Sequence, residues 1–411
     1  MELALKRTFG ALKVRNFRLF VIGQAISLSG TWMQTIGLSW LVLEMTHSGT
    51  QLGLVIAAQF LPILIFGAWG GLVADRFDKR HILYFTQSSA GILALILGLL
   101  VLTGAIQLWM VYVLALALGF VNVIDMPSRQ AFVMEMVGPK LLKNAVTLNS
   151  TMTNAARLIG PTIAGVLIAT SGVTVCFLAN AVSYIAVLAA LHMMLDHELF
   201  KAPIVTKVSG QLRAGLSYAW SEPKLKATLL MMLIIGTFAY EFPVIFPLFA
   251  TITLHGNAGT YSAMMAAMGA GAIIGGLYTA GHSDTSEKPL ILIALLFGGS
   301  IILTALMPNL IAVLIVLIIM GALSVLFIAL GNTTLQLTSK PEMRGRIMSL
   351  WVVAFSGTTP IGGPIIGYIS DHSNPRIGLM VGGGSALIAA ILGYIIYSRA
   401  NSRLILDNKQ N

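Results

Sequence analysis

The chain carries little charge and almost no cysteine. Only 10% of its 411 residues are Asp, Glu, Lys or Arg, where soluble globular chains carry about 25%. So few charged groups cannot coat a protein for water, which excludes a soluble globular domain and leaves lipid as the solvent. The single cysteine, Cys176, excludes an internal disulfide and a cysteine-rich metal site. No Gly-Lys pair occurs, so there is no P-loop to cradle phosphates. The seven histidines show no H-x-x-x-H spacing, and there is no Gly-x-Ser-x-Gly motif. No metal, cofactor or enzymatic reaction is therefore expected. Acids are scarce, 15 against 25 Lys and Arg, for a net charge of +10. Nucleic-acid binding would need those bases clustered on one face with aromatics. They lie instead in short segments between apolar runs, so no nucleic-acid partner is expected.

What is abundant is apolar: 57% of residues are hydrophobic, and 41 are glycine. Glycine suits helices that must pack closely with no hydrophobic force between them. A membrane span needs roughly 20 apolar residues. Twelve fit: 19–43, 52–74, 82–103, 107–127, 145–170, 174–194, 226–250, 261–281, 289–307, 310–335, 345–370 and 377–398. All should be helices, because lipid offers no partner to an open backbone polar group. The basic stretch Met1 to Arg18 precedes a run too long for a signal peptide and without a cleavage signal. It reads as retained.

All but two of the 25 lysines and arginines fall in one set of alternating segments. The exceptions are Arg376, in an opposite loop, and Arg157, inside the fifth span. Positive charge stays on the cytoplasmic side, so both termini are expected in the cytoplasm and the number of spans is even. The longest hydrophilic stretch splits the spans six and six. The expected units are a six-helix bundle over 1–195, a cytoplasmic linker over 196–223 and a second bundle over 224–411. Gly71-Leu72 recurs as Gly276-Leu277, and Gly160-Pro161 as Gly363-Pro364, at nearly equal offsets close to half the chain. A duplicated six-helix unit with its substrate site between the halves is a secondary-transporter plan.

Between spans two and three stands Gly71-Leu72-Val73-Ala74-Asp75-Arg76-Phe77-Asp78-Lys79-Arg80. This G-x-x-x-D-R-x-x-[KR]-R pattern resembles the loop signature of the major facilitator superfamily. Asn16-Phe17-Arg18-Leu19-Phe20, Gly30-Thr31-Trp32-Met33-Gln34, Pro127-Ser128-Arg129-Gln130-Ala131-Phe132-Val133 and Asn154-Ala155-Ala156-Arg157-Leu158-Ile159-Gly160-Pro161 resemble the bacterial exporters that include enterobactin and macrolide efflux proteins. The resemblance implies an all-α membrane protein of twelve helices in two pseudo-symmetric bundles. Two positions depart from the pattern. Ala115 stands where many proton-linked members carry a fourth-span arginine, and Ala280 stands where a second-half copy of Asp75 would fall.

The resemblance also implies roles. Asp75 would meet the positive end of helix eleven as a cytoplasmic latch, with Arg76, Lys79 and Arg80 pairing to Asp125. Topological charge alone is the plainer account of these cations. Asp125 and Arg129 lie one helical turn apart and can pair, with or without a gating role. Gly160, Pro161 and Gly165 resemble a fifth-span motif associated with export, while small residues also simply let helices approach. Arg157 is costly inside a span, by at least ~2.5–3.5 kcal/mol, so it should face a cavity or a partner. Glu241 follows Tyr240 in span seven, and a carboxyl in such a place can bind and release a proton near neutral pH. Gln24, Trp32, Asn122, Asn154 and Asn332 are polar groups in spans, either substrate contacts or helix–helix glue. Met264, Met265 and Met268 with Tyr261 are either an adaptable binding surface or packed core.

The expected function is proton-coupled export of an amphipathic small molecule, a drug or siderophore-like metabolite, across the inner membrane by a monomer. Protons and the bilayer are its other partners. Glu241 would carry the proton, with Arg157 as its electrostatic partner or an anion clamp. A lipid or lysolipid flippase is the alternative. A membrane sensor or intramembrane enzyme lacks a soluble output domain or a convergent reactive group.

Overall fold

The computed structural model describes residues 10–200, 211–281 and 287–410. The long apolar runs are helices throughout, and no strand occurs among the described residues. In the first half these are α1 (Arg15–Thr46), α2 (Gly49–Arg76), α3 (Lys79–Leu102), α4 (Leu108–Ser171) and α5 (Thr174–Met193). The second half comprises α6 (Gln211–Ser221), α7 (Pro223–Phe238), α8 (Phe242–Leu248), α9 (Ala258–Gly281), α10 (Glu287–Leu306), α11 (Leu310–Thr338), α12 (Pro341–Ser356), α13 (Thr359–His372) and α14 (Pro375–Gln410). The boundaries have local causes. The Ser48 side chain caps α2 by accepting the Gln51 N–H, and Asp78 caps α3 by accepting that of His81. His47, at φ 49°, turns the chain between α1 and α2.

Ten described helices are long and apolar enough to cross a membrane. One of them, α4, is 64 residues long and makes two passes, the fourth and fifth spans. Gly138 separates them at φ 69°, followed by Pro139, which has no N–H to continue the ladder. The remaining pass is α1, 32 residues long but interrupted by Gln24, Ser27, Ser29, Thr31 and Gln34. The fold is thus all-α, with twelve transmembrane helices.

Some expected loops and spans differ. The loop expected over 128–144 is helical. The expected linker contains α6, which packs on α12. Spans seven and eleven are each broken: α8 carries Pro243 and α13 carries Pro360 in its first turn. A proline ring disfavours helical geometry in the residue before it, so each helix restarts there. Asp75 and Ala280 lie on helices, but their side chains fall outside the described residues.

α1 to α5 pack mainly on one another, and α7 to α14 do the same. The two bundles meet along two seams: α2 on α13, and the second pass of α4 on α9. Ile65, Ile92, Ile185, Ile311 and Ile388 stand exposed on the outer faces. On a soluble protein such a belt would be a liability, and in a bilayer it is the lipid-facing surface. Inside, glycines bring backbones into direct contact. A Cβ on Gly321 of α11 would collide with the Met268 carbonyl of α9, whereas one on Gly299 of α10 would meet nothing within 4 Å. Gly321→Leu should therefore lower stability by about 1–3 kcal/mol through overpacking. Gly299→Leu should leave it nearly unchanged. Thermal unfolding of the two variants in detergent checks this.

Candidate functional site

A cavity of about 850 Å³ lies between the bundles, on the face that carries the basic segments. Its walls are the first turns of the second pass of α4, the end of α9, the end of α11, and Phe355 of α12. It reaches the surface beside Thr147 and Ser150, which are exposed. Arg157 is the only charged residue among the described residues lining it. Gln130, Asn149, Asn154, Asn332 and a row of Ser and Thr hydroxyls supply the other polar groups.

Arg157 has a built environment. Its guanidinium carbon stands 5.1 Å from the centroid of the Trp32 ring, a cation–π contact that holds the head group without neutralising it. Its Nε is buried and has no hydrogen-bond partner. The fifth span comes close enough to α1 for this because Gly160 has no side chain: a Cβ there would collide with Trp32 and reach the Ser29 carbonyl. Gly165, one turn on, rests against Ser262 of α9 in the same way. The helix runs through Pro161 without a break, so the expected motif acts here as a packing surface.

Of the polar residues singled out in the sequence, the cavity gathers Asn154, Arg157 and Asn332. Asn332 also accepts from Gln336. Gln24 is buried and receives a hydrogen bond from Arg129 at 3.2 Å. Asn122 is half-buried on the first pass of α4, away from the residues lining the cavity. The Tyr240 hydroxyl donates to the Ser324 carbonyl at 2.9 Å, and its ring packs with Phe242, Phe297 and Phe355. Met264, Met265, Met268 and Tyr261 are core, not a binding surface.

Glu241 is buried at 2% exposure, at the break between α7 and α8. It faces α13, with its carboxylate 3.0 Å from where a Cβ of Gly362 would stand. One carboxylate oxygen has no hydrogen-bond partner. No ion pair joins it to Arg157 among the described residues.

The cations after Asp75 are engaged differently from the sequence expectation. Lys79 pairs with Glu135 at 2.8 Å, both nearly buried. Arg80 donates to the carbonyls of Leu191, His192 and Met194 at the end of α5, and lies 3.7 Å from Asp196. Arg76 is exposed. Asp125 instead accepts from Thr86 and Gln87, each at 2.7 Å, and faces Arg129 at 3.5 Å. All these bonds lie within the first bundle, where they join α3 to α4 and to the end of α5. The physical reason is reach: Arg80 stands beside the uncapped carbonyls of α5, which a guanidinium fork satisfies.

On the opposite face a group not singled out in the sequence stands out. Asp371, near the end of α13, binds Ser48, Gly49 and Thr50 at the start of α2. An acid close to a loop gave no signal, because its partners lie more than 300 residues away. Beside it a Cβ on Gly367 would collide with the Gly49 carbonyl, and one on Gly53 with that of Gly363. This face is shut, and the basic face is open.

The family model described as transmembrane secretion effector matches residues 6–408. The chain belongs to the transmembrane secretion effector family, within the major facilitator superfamily. Transmembrane secretion effectors are multi-pass membrane transport proteins. The chain is 25% identical to the staphyloferrin A transporter of Staphylococcus aureus over 92% of its length and 96% of that protein. It is 27% identical to the enterobactin exporter EntS of Shigella flexneri, over 95% and 93%. Its fold matches a bacterial homologue of the lysosomal transporter Spinster, in inward-facing, occupied form, with a TM-score of 0.71 at 14% identity over 94% of this chain and 97% of that one. An auto-inhibited peptide transporter of the POT family matches with a TM-score of 0.75 at 12% identity, over 94% and 97%.

Because Arg80 caps α5 with several bonds at once, Arg80→Lys is not conservative for this secretion effector. It should lose about 1.5–3 kcal/mol, the worth of a charged hydrogen bond. Thermal unfolding in detergent measures it.

Proposed function

We propose that this secretion effector exports an anionic, hydrogen-bonding small molecule of siderophore type across the inner membrane in exchange for protons. The carrying observation is the cavity. It opens on the basic face, ends at a partly unsatisfied arginine, and has no acid among its described lining residues. The positive-inside bias makes that face cytoplasmic, with both termini on the same side. The cavity then faces the cytoplasm, as an exporter's loading state requires. A lining with one cation and no carboxylate favours anions and repels cations. That moves the reading from amphipathic drugs of any charge toward acids rich in hydroxyl and carbonyl groups. The names of the two relatives fit such a cargo.

Cargo entering from the cytoplasm meets Asn154 and Asn332 on the walls and Arg157 at the depth of the cavity. Its negative group meets the guanidinium, which the Trp32 ring holds in place. Rocking of the bundles then closes the basic face and opens the other. Glu241 is the proton carrier in this reading, since it is an isolated acid at a helix break beside the seam between the bundles. Inward proton movement supplies about 2.3 kcal/mol per charge per 100 mV from the electrical component.

Uptake into inside-out vesicles with an imposed pH gradient tests this, with enterobactin and staphyloferrin A as probes. Glu241→Gln should abolish the dependence on the gradient, and gradient-driven uptake at the wild-type level in that variant would overturn the coupling. Arg157→Ala should raise the apparent KM roughly tenfold or more, since a charge-assisted hydrogen bond is worth about 1.5–3 kcal/mol. An unchanged KM would remove Arg157 from the binding site.

A further inference from the structure

The Asp371 carboxylate accepts four hydrogen bonds from three consecutive residues of the other bundle. They come from the Ser48 hydroxyl at 2.7 Å, the Gly49 N–H at 2.6 Å, the Thr50 N–H at 2.8 Å and the Thr50 hydroxyl at 2.7 Å. Gly49 and Thr50 open α2, so their N–H groups have no partner within the helix. Ser48 uses its oxygen twice, accepting from Gln51 to cap α2 and donating to Asp371. The acid thus completes a cap that its own bundle does not need.

Within α13 the same carboxylate is badly placed. It lies one residue from the C-terminal end, the negative pole of that helix. The positive pole that offsets this belongs to α2. The favourable position exists only while α2 and α13 touch, which makes it a property of one conformation.

The contact guards something. Inward from Asp371 along the same seam, Gly49 and Gly53 lie against Gly367 and Gly363. Directly behind those glycines, on the second-bundle side, is Glu241, its carboxylate 3.3 Å from where a Cβ of Gly363 would stand. The approach to Glu241 from this face runs through the seam that Asp371 fastens.

We propose that Asp371 is a gating residue of the transport cycle: it locks the outer face shut by capping α2, and its release opens the α2–α13 seam through which protons reach Glu241. α2 and α13 run antiparallel, so α2 presents its N-terminus to an acid of α13 at this face. At the basic face α2 carries Asp75 near its own C-terminal end. The proposal takes its orientation and proton pathway from the transport reading, but its test needs no substrate.

Two spin-label pairs report the two faces in a Cys176→Ser background. Ala105 and Pro308 sit in the outer loops of the first and second bundles. Lys140 and Glu342 are exposed at the basic face. In Asp371→Asn an amide N–H₂ replaces one acceptor and confronts the helix donors. The outer pair should shift to longer distances and the inner pair to shorter ones. Ser48→Ala with Thr50→Val removes two donors and should shift both pairs the same way by less. Combining all three should add nothing to Asp371→Asn alone. Wild-type distances in a folded Asp371→Asn protein overturn the lock, as do additive shifts in the combined variant. If Asp371→Asn does not fold, the Ser48→Ala, Thr50→Val protein takes its place, and wild-type distances there also overturn it. Transport assays that fail for want of the right cargo leave these distances untouched, and unchanged distances leave the export reading standing.

Discussion

Helices in lipid gain nothing from hiding apolar side chains from one another, so contact must come from shape. That constraint governs the whole molecule. Where two helices have to touch, the chain removes side chains until backbone meets backbone. α11 leans on α9 at Gly321, α4 on α1 at Gly160, and α2 on α13 at Gly53 and Gly363. The first contact lies within a bundle and the last between bundles. The same device therefore serves both permanent packing and the surface that must come apart. What separates the two is the charge nearby. The α2–α13 seam is fastened at its end by a carboxylate with four donors, and such a fastening can be undone as a unit.

Charged side chains taken into the interior are few among the described residues, and each is handled differently. Lys79 and Glu135 are paired in the first bundle. Asp125 is surrounded by Thr86, Gln87 and Arg129. Arg157 and Glu241 are not satisfied in this way: each keeps a buried polar atom with no partner. Both stand where an open polar group is costly. One borders the cavity and the other sits behind the closed seam, so the two are reached from opposite directions.

The fold was legible in the sequence because lipid imposes a crude rule, about twenty apolar residues per pass, and the lysines and arginines mark the turns. Helix breaks were less legible. Pro243 and Pro360 were visible, but a proline in a span may be absorbed or may divide it, and only packing decides which. The site was half legible. Arg157 declared itself by its cost, and Asn154 and Asn332 join it in the cavity. Lys79 and Arg80 were read as partners of Asp125. Their true contacts, Glu135 and the last carbonyls of α5, depend on how the helix ends at the basic face pack together, which no span pattern encodes. Asp371 was invisible for the same reason: it looks like any loop-edge acid until α2 is placed against it.

The position of Arg157 has a mechanical consequence. A Cβ on Gly269 of α9 would stand 2.6 Å from the Arg157 carbonyl oxygen, so the residue that borders the cavity also forms a point where the bundles bear on each other. From that point the second pass of α4 extends roughly 30 Å back to Gly138 and about 20 Å on to Ser171, at ~1.5 Å per residue. It is a lever with its fulcrum at the contact with Gly269. A tilt of about 10° there sweeps the two ends through roughly 4–5 Å in opposite senses, given those arm lengths. A small tilt at this contact is thereby geared up to a displacement several times larger at either end of the pass.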